Sequence, residues 1–202
     1  MHHTGGPGWR ITMDTCHPML VALYLRDVAG LEGAGNPALS HVAPTVRAAD
    51  HSMLTSDVGG TPALRRQWEF WWEQLVQGFP QAPALTAPDF PELGTMPALQ
   101  RVARAHYGSA LGWAGERAQQ YAMMAAQRET MGGHRILAEL VQNREMELGR
   151  NARDFTLSIL EVPLAQPRAW FIEPAKIIMS SKLLDDQDVF CSYVRPVVEQ
   201  LV

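Results

Sequence analysis

The chain has 202 residues, 47% of them hydrophobic and 19% charged, with a formal net charge of -4. That balance excludes a disordered, highly charged chain, and the acidic charge argues against nucleic acid, whose phosphate backbone needs a basic surface. The longest strongly apolar run, Met19 to Leu25, is far short of the roughly 20 residues that span a bilayer, so a soluble, unexported single domain over residues 1–202 is expected, with no membrane partner.

Met1 to Gly8, which includes His2 and His3, reads as a flexible end without function and lacks the charged and apolar regions of a secretory leader. Trp9, Ile11 and Met13 then alternate with Arg10 and Thr12, the period of a short strand. Pro18 suits the first position of a helix that buries Met19 to Ala29 and stops at Gly30. Leu31 to Gly60 is rich in turn residues, with a short helix expected near Val46 to Met53. Thr61 caps and Pro62 opens a clearer helix, on which Leu64, Trp68, Trp71, Trp72 and Leu75 share one face while Phe70 points elsewhere. Residues 79–97 carry Pro80, Pro83, Pro88, Pro91 and Pro97, so this stretch is expected to be an extended connection.

The segment 97–149 is the spine of the sequence. Leu99, Val102, Ala103, His106, Tyr107, Ala110, Leu111, Ala114, Ala118, Tyr121, Ala122 and Ala125 recur at spacings of three and four, an apolar stripe on one side of a helix. The stripe is made largely of small residues, with Gly108, Gly112 and Gly115 beside it, which would let a second helix come close. Gly132-Gly133 interrupts the helix, and a second amphipathic segment ends at Gly149. A long bent helical hairpin is expected.

Beyond it the period shortens. Phe155, Leu157 and Ile159, then Trp170 to Ile172 and Ile177 to Leu184, read as strands, and a hairpin turning through Ala165 to Arg168 is the natural assembly over residues 154–184. Asp185, Asp186 and Asp188 open a C-terminal helix over 186–202, which Pro196 should bend or split. The expected fold class is α+β, mostly helical, with the helical hairpin, flanking helices and a small antiparallel sheet near the C-terminus that Trp9 to Met13 could join.

Candidate chemistry is sparse. Cys16, His17, His41, His51, His106, His134 and Cys191 are ligand types without metal-site spacing, so no metal site is assigned. The two cysteines read as reduced thiols of a cytoplasmic protein. Ser180-Ser181-Lys182 lacks the spacing of a Ser/Lys pair, and no phosphate-binding glycine loop or nucleophile elbow is present. A catalytic centre and a cofactor are therefore left unassigned. His106, Trp113 and Arg117, at offsets of seven and four, form a polar and aromatic corner able to orient a ligand, and Phe70 is a candidate anchor for a partner. The leading expectation is a binding or assembly protein that self-associates through the small-residue stripe or the Trp-rich helix. The alternative is a small-molecule-binding protein or enzyme with a pocket between the central helices and the sheet, where His106 acts as acid or base. A metal-binding protein comes third.

Overall fold

The computed structural model describes residues 2–6, 8–130 and 132–202, with the side chains of His2, His3 and His134 outside that description. Among the described residues the chain is 56% helical, with six helices and a five-stranded sheet, which makes it the mostly helical α+β protein expected. It divides into two compact units. One, the sheet unit, comprises Met1–Thr15, Gln119–Val162 and Gln166–Val202; the other, the helical unit, comprises Cys16–Ala118 and Pro163–Ala165.

In the helical unit, α1 (His17–Val28) begins with proline in its first turn and passes into Gly30, whose φ of 65° needs a residue without a Cβ. Residues 45–51 form no helix; the expected one is reduced to a single turn, α2 (Ser52–Thr55), followed by a 3₁₀ turn at Ser56–Val58. Helix α3 (Gly60–Gly78) starts before Thr61, so the expected threonine cap is replaced by Gly59 in the left-handed conformation. Its Trp68, Trp71, Trp72 and Leu75 are buried as the spacing requires. Trp68 is fully enclosed, stacks on Trp72 with ring centroids 5.4 Å apart and donates its indole N–H to the Ala22 carbonyl of α1 at 2.7 Å. A buried indole that lacked this acceptor would pay a desolvation cost of about 1–3 kcal/mol.

Helix α4 (Pro97–Thr130) gives its first part to the helical unit and its last to the sheet unit. At 34 residues and about 1.5 Å per residue it is roughly 50 Å long. Leu99, Val102, Ala103, Ala110, Ala114 and Tyr121 of its stripe are buried within the chain itself, whereas Gly108 and Gly112 are exposed. The helix is followed by Gly132 in the left-handed conformation and by α5 (Gly133–Leu148), which ends on left-handed Gly149.

The sheet departs most from expectation. Its strands are β1 (His2–Gly6), β2 (Trp9–Asp14), β3 (Phe155–Val162), β4 (Ala169–Ile172) and β5 (Lys176–Ser180), in the spatial order β1-β2-β3-β5-β4. The N-terminal residues expected to be flexible thus form an edge strand, antiparallel to β2. Strands β2, β3 and β5 are mutually parallel, so the sheet is mixed and not antiparallel. No hairpin joins β3 to β4: Pro163–Ala165 is committed to a bridge with Val42, through Ala43 N–H to Pro163 O at 2.7 Å and Ala165 N–H to His41 O at 2.9 Å. The actual hairpin is the next one, β4 against β5. The expected strand through Leu184 stops at Ser180 and continues as a 3₁₀ turn, Ser181–Asp185.

One face of the sheet unit's strands, with Trp9, Ile11, Leu157, Ile159, Ile177 and Met179, packs with Leu137 and Val141 of α5 and with Phe190, Val194 and Val198 of α6 (Gln187–Leu201). Asp186 caps α6 by accepting the amides of Asp188 and Val189, as acidic residues at a helix start should. The helix runs unbroken through Pro196.

Candidate functional site

Two polar clusters draw on α4, one in each unit. In the helical unit, His106 meets His51, with the two Nε2 atoms 2.7 Å apart and the rings 4.9 Å between centroids. His51 is buried, precedes α2 and gives its carbonyl to the Thr55 hydroxyl at 2.9 Å. A single proton between two Nε2 atoms makes one ring donor and the other acceptor. Burial, and second the neighbouring His51, hold His106 below the ordinary histidine range. The His51 Nδ1 is buried and has no hydrogen-bond partner among the described residues.

Two turns along the same helix, Trp113 meets Tyr24 of α1, ring centroids 5.8 Å apart, and Arg117 lies with its guanidinium carbon 6.0 Å from the Trp113 ring. Trp113 Nε1 and Arg117 Nε are both buried without a partner among the described residues. The corner expected from spacing is therefore half assembled: Trp113 and Arg117 come together, while His106 pairs with His51. Phe70 stands apart on α3, 52% exposed.

The second cluster, in the sheet unit, went unread in the sequence. Glu161 occupies the last turn of the sheet's alternation on β3, in phase with Leu157 and Ile159, and is 3% exposed. Its Oε2 accepts from Arg128 Nη2 of α4 at 2.8 Å. The Ser181 hydroxyl, just past β5, lies 2.9 Å from the Tyr121 hydroxyl and 3.2 Å from the Val162 carbonyl. Burial pushes Glu161 above the usual carboxylate range, Arg128 and Ser181 oppose that rise, and the Asp185 charge adds to it. Thr15 follows β2, whose register sets Asp14 beside Leu160 and so carries Thr15 to the level of Glu161.

No protein-family model matches this chain, and no curated protein or solved structure matches it either.

These residues sit where the three parallel strands end. In open α/β sheets ligands bind outside the carboxyl ends of the parallel strands, and the polar groups here occupy the corresponding end of a mixed sheet. Three buried polar atoms at that end, Glu161 Oε1, Arg128 Nη1 and Thr15 Oγ1, have no hydrogen-bond partner among the described residues. Ser180, by contrast, is fully buried and accepts the Arg168 amide at 3.2 Å, so it is bound into the sheet. Among the described residues no group of three or more histidine, cysteine or acidic side chains is arranged to hold a metal ion. The sequence did hold a signal for Glu161: an acid on the phase of β3 otherwise filled by Phe155, Leu157 and Ile159.

Proposed function

We propose that this protein binds a small polar molecule at the carboxyl ends of β2, β3 and β5, with Glu161 and Arg128 as its principal contacts. The observation that supports this reading is the trio of buried, unpartnered atoms on Glu161, Arg128 and Thr15. Each such atom costs about 1–3 kcal/mol when left unsatisfied, and a ligand presenting matching groups recovers that cost. A packed core gains nothing from the arrangement, since an apolar residue at position 161 would continue the Leu157 and Ile159 face. A screen of small polar metabolites by thermal shift tests it, run in parallel on wild type and Arg128→Met. Compounds that raise the melting temperature of wild type alone are expected; a screen in which every stabiliser acts equally on both proteins sinks the reading.

A second reading, self-association, is supported by the outer side of α4. A Cβ built on Gly108, Gly112 or Gly115 meets nothing within 4 Å, and Leu111 beside them is 37% exposed. A second copy of the helix could approach closely there in a two-fold dimer. Sedimentation across a wide concentration range decides: a persistent monomer removes this reading. Neither Cys16 nor Cys191 is in a disulfide, which suits a reducing cytoplasmic setting; no helix among the described residues is long and apolar enough to cross a membrane.

A further inference from the structure

Resting on that reading of the site, we propose that its ligand carries a small carboxylate, which docks on Arg128 and accepts a hydrogen bond from protonated Glu161, so that binding takes up a proton. The donor and acceptor inventory leads there. Arg128 Nη1 can only donate, the Thr15 hydroxyl can donate, and Glu161 Oε1 accepts when ionised but donates when protonated. The charged groups facing Glu161 are Arg128 from α4 and Asp185 from the turn after β5, with the Ser181 hydroxyl beside them. Asp185 and burial favour the protonated carboxyl, and together they outweigh Arg128 and Ser181.

With that proton in place, all three unpartnered atoms are donors, and one of them belongs to the charged Arg128 guanidinium. A carboxylate supplies two acceptor oxygens and the missing negative charge, and guanidinium recognises this planar group well. The proton comes from solvent to Glu161 Oε1 as the ligand binds and returns as it leaves; no covalent bond changes. A neutral carboxamide, whose NH2 donates and whose oxygen accepts, matches the ionised form of Glu161 instead. The two ligand chemistries thus report opposite protonation states.

Sodium acetate and acetamide are the probes, titrated into the full-length ¹⁵N-labelled protein and followed through the amides of Val162 and Ser181. Acetate affinity is expected to fall about tenfold per pH unit once the pH exceeds the Glu161 titration. Glu161→Gln, whose amide still donates, binds acetate with an affinity independent of pH. Arg128→Met weakens acetate at least about tenfold; should it fail to fold, Arg128→Lys, which keeps the charge and loses the fork, is expected to weaken acetate by a similar factor. Acetate binding to wild type that ignores pH, or acetamide binding more tightly than acetate, overturns the carboxylate assignment. In that event loss of either probe in the Arg128 variant keeps the site itself standing. If neither probe moves these amides the carboxylate assignment falls, and the site then depends on the metabolite screen alone.

Discussion

The His51–His106 pair and the Glu161–Arg128 pair each join one buried and one half-buried side chain by a hydrogen bond, yet they respond to pH in opposite senses. Burial pushes each titrating member toward its neutral form, which lowers His106 and raises Glu161. Unfolded histidine protonates near 6.5, whereas His106 in the fold does so only at lower pH. Acid therefore favours the unfolded chain: the stability from neutral His106 is complete above about 6.5 and is lost as pH falls through that value toward the folded one. Unfolded glutamate ionises near 4.5 and Glu161 only at higher pH, so its contribution is complete below about 4.5 and is lost as pH rises toward the folded value. One physical cause, applied to an acid and a base, yields two opposed limbs of a stability profile.

The strongest way to break this contrast is to remove one member of the charged pair. Truncating one partner of a buried ion pair typically costs 3–5 kcal/mol; Arg128 keeps 24% of its side chain exposed, so about 2–3 kcal/mol is expected for Arg128→Met at mildly alkaline pH. The loss should shrink as the medium is acidified, because the stranded Glu161 carboxyl then takes a proton. Urea unfolding on both sides of neutrality measures this. The double variant Arg128→Met/Glu161→Gln should regain at least about half of the lost stability, since no uncompensated charge remains. A penalty that is the same at every pH would mean that Arg128 acts by packing alone.

A smaller effect is expected in the helical unit. His106→Ala leaves the buried His51 Nε2 without its partner at 2.7 Å, a loss of about 1–3 kcal/mol. The sharper measurement is the shape of the profile. His106→Ala should flatten the acid limb and leave the other intact, while Glu161→Gln should flatten the limb that declines with rising pH. Two variants that altered the same limb would show the pairs not to be opposites.

How much of this was legible follows from how local each signal is. The buried face of α3, the proline at the start of α1, the interruption at Gly132 and the Asp186 cap all rest on residues within a turn or two of each other, and they were readable. The parallel pairing of β3 with β5 was not, because alternation reveals a strand and its faces but not its direction, and the withdrawal of Pro163–Ala165 into a bridge with Val42 depends on residues over a hundred positions away. The clusters divide in the same way. His106 was found on its helix, but its partner His51 lies 55 positions earlier. Arg128 falls three residues beyond Ala125 on the same stripe and Glu161 sits on the inward phase of β3, so each was visible as an anomaly, whereas their pairing across 33 positions was not.

The smallest predicted effect tests whether the two clusters are independent of the helix that supplies His106 to one and Arg128 to the other. Gly112 lies inside α4, and a methyl group there meets nothing within 4 Å. Alanine restricts the unfolded chain more than glycine does, so Gly112→Ala should stabilise the monomer by about 0.5–1 kcal/mol. Because the gain comes from the backbone and touches neither pair, both limbs of the pH profile should rise together with their slopes unchanged. A change of slope would mean that stiffening α4 alters how His106 or Glu161 is held. If instead two copies pack along this face, the added methyl obstructs their close approach, and the gain seen in dilute protein should diminish as concentration increases. The melting temperature of Gly112→Ala against wild type, followed over a concentration series, therefore separates a solitary helix from a paired one.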